Sequence, residues 1–273
     1  MEEESGFDIF LEYMPALKVR YKAILTALYQ LLVFILLIII FWWISSRNLI
    51  AAGIYHFFIS FMTILFFSYL LINTKKVREK YREKFGKLAY QKLYYRYIIY
   101  QNVFGNASRY CTLILKTDYF LPAIITLPPG FLTSTFFPFY SAIPIGIFLF
   151  IIGMFLRRPS GGFDIDVDMY IYLIFPEKSR KVEAGIYNFI RHPRYLAECF
   201  MAIGIGIVAN NLLAILFSFI HIIPVLILIK IEDKELVRRF GDDFKKYQSS
   251  VPALIPRFGS WKKLLNCVFF KEK

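Results

Sequence analysis

Arg191, His192 and Pro193 stand together in GIYNFIRHPRY, residues 185–195, and Glu232 and Asp233 open a second polar block, EDKELVRRFG, residues 232–241. This set offers a fixed cation, a titratable imidazole and two carboxylates. A proline at the first turn of a helix leaves free backbone N–H groups, a seat for a carboxylate or phosphate. Tyr187 and Tyr195 offer ring faces to an adenine or a sulfonium cation. Glu232 and Asp233 read as the start of a helix, where they would either cap it or hold a ribose, an ammonium or a sulfonium group. Taken alone, an Arg-His pair beside a membrane is more often a headgroup anchor. The carboxylate pair behind an apolar run, interrupted only by His221, Pro224 and Lys230, makes a site the better reading.

The elements that must position these residues are membrane helices. The chain is 58% hydrophobic, with 30 Phe, 19 Tyr and a mean hydropathy of +0.52, which excludes an ordinary soluble domain. The net charge of +13 does not indicate nucleic acid, because Lys and Arg cluster beside apolar spans and no nucleic-acid motif accompanies them. Cys111, Cys199 and Cys267 have no CxxC spacing, so neither a disulfide framework nor a zinc site is expected. The acidic start, MEEESGFDIF, is not a cleavable signal peptide.

Residues 23–44 and 50–72 are uncharged and long enough to span a bilayer. Lys18, Arg20 and Lys22 before the first put the amino terminus in the cytoplasm. Residues 75–100, rich in Lys, Arg and Tyr, read as a helix lying partly on the headgroups or as a solvated connector. Residues 111–127 form a weak span carrying Lys116 and Asp118, turned at Pro128-Pro129-Gly130. Residues 131–156 return and end at Arg157-Arg158. Residues 159–179 read as a loop with a short helix or strand; Asp164, Asp166 and Asp168 lack the glycine and closing Glu of an EF-hand. Residues 196–209 and 212–231 form a last apolar hairpin turned at Asn210-Asn211. The expectation is an all-α polytopic bundle of about six transmembrane helices, both termini cytoplasmic. It divides into an amino-terminal region (1–158) and a core (159–273). One decoy lies inside: Gly204, Gly206 and Ala209 fit G-x-G-x-x-A, but no strand precedes them, and small residues for close helix packing explain them better.

The order G-x-Y-x-x-x-R-H-P-x-Y-L-(G/A)-E, apolar hairpin, E-(E/D)-x-x-L-x-x-x-F-G, then Y-x-x-x-V-P-x-x-x-P resembles the integral-membrane methyltransferases, among them isoprenylcysteine carboxyl methyltransferase and the phospholipid N-methyltransferases. The matching positions include Gly185, Tyr187, Arg191, His192, Pro193, Tyr195, Leu196 and Glu198, then Glu232, Leu236, Phe240, Gly241, Tyr247, Val251, Pro252 and Pro256. The resemblance implies S-adenosyl-L-methionine as cofactor in a cytosol-facing pocket, a lipid or prenylated acceptor, and no nucleic-acid partner or metal. It implies cofactor contacts at Lys181, Val182, Tyr187, His192, Pro193, Tyr195, Leu196, Glu232 and Asp233. Arg191, His192 and Glu232 would serve the reaction, and Lys230 would lie near the acceptor. The His-x-Leu-Val stretch of relatives is Ser179-Arg180-Lys181-Val182 here, without its histidine. Two other classes fit parts of the pattern: an NADPH-dependent enzyme resembling the sterol reductases, and a non-enzymatic scaffold or transporter.

Overall fold

Long uncharged runs become long helices, and the polar residues between them fix the turns. The computed structural model describes residues 6–114, 137–157, 170–178, 185–220 and 222–270. Two short helices, α1 (Gly6–Tyr13) and α2 (Pro15–Lys18), lead into α3 (Arg20–Ser45). At its end the Ser45 and Ser46 hydroxyls donate back to the carbonyls of Trp42 and Trp43, at 3.0 and 2.8 Å. Asn48 then starts α4 (Leu49–Ile72), its Oδ1 accepting from the backbone N–H groups of Ile50 and Ala51.

Residues 75–100, read as a helix lying partly on the headgroups or as a solvated connector, are built from several helical pieces. They form α5 (Thr74–Phe85), a break at Gly86, α6 (Ala89–Leu93) and a π-helical turn (Tyr94–Ile98) that runs into α7 (Ile99–Ile114). Tyr81, Tyr90 and Leu93 are buried in a cluster with Met14, Phe67 and residues 170–174. Tyr81 and Tyr90 are thus core and Tyr94, Tyr95 and Tyr97 half-buried against it, while Lys75, Lys76, Lys80, Lys84 and Lys87 stay exposed.

The carboxy-terminal half comprises α8 (Phe139–Arg157), α9 (Pro193–Ala209), α10 (Leu212–Ile220), α11 (Ile222–Phe240), α12 (Asp242–Ser250) and α13 (Trp261–Phe270). The Asn210-Asn211 turn forms as expected. Asn210 takes a left-handed conformation and exchanges two hydrogen bonds with the Phe137 backbone, and Asn211 Oδ1 caps α10 by accepting from Ala214 N at 2.8 Å. Four stretches are long and apolar enough to cross a membrane: Arg20–Ser45, Ile50–Ile72, Tyr140–Arg157 and Leu212–Phe240. The expected six also count residues 111–127, which from 115 on lie outside the described residues, and α9, a helix of 17 residues. Lys116, Asp118, the turn at 128–130, the aspartates at 164–168 and His221 likewise lie outside the described residues.

Helices α8 and α9 lie side by side along their length. This contact crosses the boundary drawn at residue 158. The glycine decoy is a packing seam: a Cβ on Gly204 would meet the Gly146 carbonyl at 2.6 Å and Phe150 N at 2.8 Å, and one on Gly153 would meet the Ala197 carbonyl at 2.7 Å. Backbone cannot retreat as a side chain can. Gly204→Ala should therefore cost about 1–3 kcal/mol, seen as earlier thermal unfolding in detergent. Unchanged unfolding would mean that α8 and α9 do not touch there.

Polar side chains tie the remaining helices. His56 on α4 is fully buried and hydrogen-bonds through Nε2 to the Ser108 carbonyl on α7 at 2.9 Å, and Ser60 bonds the Ser108 hydroxyl. Glu198 on α9 pairs with Arg109 of α7 and, at 2.9 Å, with Arg157 at the end of α8. Ion pairs inside an apolar bundle survive only when matched, so this one fixes the three helices against one another.

Candidate active site at the His192–Asp233 junction

The two polar blocks meet. Glycine makes this possible at Gly241, whose φ of 63° and ψ of −137° suit no other residue well. The chain reverses there, so α12 folds back and carries Gln248, Val251, Pro252 and Ala253 beneath residues 191–192. Arg191 N donates to the Pro252 carbonyl and His192 N to the Ala253 carbonyl, each at 2.9 Å. The Arg191 guanidinium adds bonds from Nη1 to the carbonyls of Gln248 and Val251, at 2.7 and 2.8 Å. Tyr247 Oη closes the other edge by donating to the Tyr187 carbonyl at 2.7 Å. These bonds account for the F-G and V-P positions of the sequence pattern.

Pro193 begins α9, with His192 as its N-cap in a non-helical conformation (φ −124°, ψ 62°). That conformation aims the imidazole away from the helix axis and toward α11. Asp233 Oδ1 accepts from His192 Nε2 at 2.9 Å, while Asp233 Oδ2 accepts from Arg191 Nη2 at 2.8 Å and from Gln248 Nε2 at 3.1 Å. Both oxygens of Asp233 are thus used inside the protein. The carboxylate fixes Nε2 as the protonated nitrogen and leaves Nδ1 facing elsewhere.

What Nδ1 faces is Glu232. Adjacent residues on a helix point about 100° apart, so the two carboxylates flank the ring instead of doubling on one atom. Glu232 Oε2 lies 3.7 Å from His192 Nδ1, is shielded from solvent and has no hydrogen-bond partner among the described residues. Tyr195 lies tilted against the imidazole, ring centres 5.6 Å apart, and brings its hydroxyl toward Glu232. Counting fixed charges around the ring, Arg191 offsets Asp233 and nothing comparable is bonded to Glu232 Oε2. A cation or a hydrogen-bond donor fits this spot.

One expectation is corrected: Glu232 and Asp233 do not begin a helix. They lie deep within α11, which starts at Ile222. The helix dipole therefore contributes little to them; their environment is set by His192 and Arg191. Of the other candidates, Tyr187 and Leu196 pack in an apolar cluster with Leu156, Ile190 and Leu264 of α13. Lys230 is exposed, and no described contact joins it to the cluster. Lys181 and Val182 lie outside the described residues.

Sequence reasoning missed the segment 170–178, which packs against the site. Tyr170 to Ile174 are all buried. The Tyr172 ring carries the Arg239 guanidinium at 3.8 Å, and Arg239 bonds Glu235 at 2.9 Å. An apolar run, MYIYLIF, inside an otherwise charged connector was the available signal.

The phospholipid methyltransferase family pattern matches residues 142–243. A methanethiol S-methyltransferase of Crocosphaera subtropica is 30% identical over 127 residues, 44% of this chain and 47% of that protein. A protein-S-isoprenylcysteine O-methyltransferase of Schizosaccharomyces pombe is 27% identical over 132 residues, 47% of this chain and 54% of its own. The chain thus spans about half the length of the curated relatives it matches. No solved structure matches it. The matched segment holds every residue that meets at the imidazole except Gln248 and the backbone of α12 and its exit, and over that segment the chain is similar to the membrane methyltransferases.

Proposed function

We propose that this protein transfers a methyl group from S-adenosyl-L-methionine to a lipidic or prenylated acceptor at the membrane interface. The observation that carries the reading is Glu232 Oε2, an unpartnered carboxylate oxygen held beside an imidazole that Asp233 has locked in one orientation. A sulfonium cation would satisfy that oxygen, so the residues present fit the donor. His192, Pro193, Tyr195 and Glu232 would hold it, and when bound it supplies a methyl carbon already activated by positive sulfur. The protein's own task is alignment: Asp233 and Arg191 hold His192, and the apolar helices keep water out. Asp233 acts here by holding its neighbours.

The basic residues between 75 and 96 and the pair Arg157-Arg158 would mark the cytoplasmic side, with both termini there and the site at that face. The testing experiment incubates membranes containing the protein with methyl-labelled S-adenosyl-L-methionine and follows label into the lipid fraction, beside calorimetric binding of S-adenosylhomocysteine. Label in lipid and binding of the product are expected. Tight NADPH binding without affinity for S-adenosylhomocysteine would overturn the reading in favour of a reductase.

A further inference from the structure

A second buried polar atom near Glu232 is also without a hydrogen-bond partner among the described residues: the Tyr172 hydroxyl. Tyr172 is 1% exposed. An unmet hydroxyl or carboxylate oxygen in an interior costs about 1–3 kcal/mol. These two feel each other electrostatically yet do not bond. Burial, and then the Glu232 carboxylate, push the Tyr172 phenol well above its ordinary value, so Oη keeps its proton and remains a donor. A donor and an acceptor thus await a third group.

The amino-terminal half of the chain holds Tyr172 there. Arg78 of α5 donates from Nε to the Leu173 carbonyl at 3.2 Å and from Nη2 to the Tyr172 carbonyl at 3.5 Å. Met14, Phe67 and Tyr90 pack in the cluster that buries residues 170–174. None of these supports belongs to the family-matched residues 142–243. The two relatives, by their names, share methyl transfer and differ in acceptor, a methanethiol in one and an isoprenylcysteine in the other. Tyr172 and Arg239 lie inside the matched residues, but the groups that hold the backbone of Tyr172 and Leu173 come from outside them, where the chain is free to differ from its relatives.

We propose that Tyr172 contacts the acceptor, and that the acceptor's reacting group is a thiol on an apolar chain. This rests on the methyltransferase reading above. The thiol S–H donates to Glu232 Oε2 while Tyr172 Oη donates to a sulfur lone pair. A carboxylate has no hydrogen for Glu232 and meets like charge. An amine has a single lone pair, which a bond from Tyr172 would withhold from attack. Sulfur has lone pairs for both. When the proton moves from sulfur to Glu232, a thiolate and a carboxylic acid result, with total charge unchanged, and the Tyr172 bond steadies the thiolate. Arg78 is a positioning residue, acting through the backbone of residues 172–173.

The test titrates 1-dodecanethiol, dodecylamine and dodecanoate into the nanodisc-embedded protein saturated with S-adenosylhomocysteine. The thiol is expected to bind best. Tyr172→Phe should weaken it at least about tenfold, a loss of about 1.4 kcal/mol, and leave S-adenosylhomocysteine affinity unchanged. Arg78→Ala should weaken the thiol in the same direction, again without affecting the product. The inference falls if Tyr172→Phe binds the thiol like the parent, or if dodecanoate or dodecylamine binds better than the thiol. It also falls if Tyr172→Phe loses S-adenosylhomocysteine as well, since Tyr172 would then be a structural group. A parent protein that binds S-adenosylhomocysteine but no thiol defeats this inference alone; one that binds no S-adenosylhomocysteine defeats the methyltransferase reading with it.

Discussion

Asp233→Ala should abolish most methyl transfer, by about a hundredfold or more, and should destabilise the protein by about 3–5 kcal/mol. The reason is the number of groups that one carboxylate satisfies. Arg191, His192 and Gln248 all donate to it, at 2.8, 2.9 and 3.1 Å. Truncation strands a guanidinium whose side chain is only 9% exposed. Removing one partner of a buried pair costs far more than the pair is worth, because the other charge stays behind. It also frees the imidazole to rotate and exchange protons between its nitrogens, so both donor and product binding should weaken. Asp233→Asn keeps shape and one acceptor but cannot serve Arg191 and His192 together, so its stability loss should be smaller and its rate loss still large. Thermal unfolding in detergent and initial rates with labelled donor measure both. An Asp233→Ala protein that melts like the parent would show that the junction does not hold the fold.

The two polar blocks were legible in the sequence because their residue types are expensive in a membrane protein and lie on either side of an apolar hairpin. Their meeting was legible for the same reason. The role of each carboxylate was not. A change from apolar to charged residues at Ile231 looks like a helix start, but α11 continues across it, since loss of hydrophobicity alone ends no helix. Only coordinates show that Asp233 turns inward to Arg191 while Glu232 turns to the far nitrogen of His192. The tyrosines of residues 81–97 posed a similar ambiguity. An amphipathic ring suits a headgroup belt or a core equally well, and Tyr90 chose the core because Phe10 and Tyr13 stack edge-on against it. Glu198 could be read from its motif, but its partner Arg109 lies 89 positions earlier, on α7. No local pattern announces such a pairing. Tyr172 was hidden for the opposite reason: a buried hydroxyl lacking a partner leaves no trace in residue spacing.

Glu232→Gln separates charge from shape at the atom on which the functional reading depends. The amide keeps the volume of the carboxylate and leaves the Asp233, Arg191 and His192 bonds untouched, so folding should change little. What disappears is the negative charge facing His192 Nδ1 at 3.7 Å. A positively charged sulfonium donor should then bind about tenfold more weakly, a loss of about 1.4 kcal/mol, whereas the neutral product S-adenosylhomocysteine should bind as before. Transfer itself should fall further, by about a hundredfold, because the group that accepts the acceptor's proton is gone. Asp233→Ala weakens both ligands by displacing the imidazole; Glu232→Gln should discriminate between them by charge. Calorimetry with S-adenosyl-L-methionine and its product on the same preparation decides the matter. Equal losses for the two ligands would mean that Glu232 shapes the site without sensing charge. An unimpaired rate would mean that its buried oxygen meets neither donor nor acceptor, and the proposed chemistry would lose the observation that carries it.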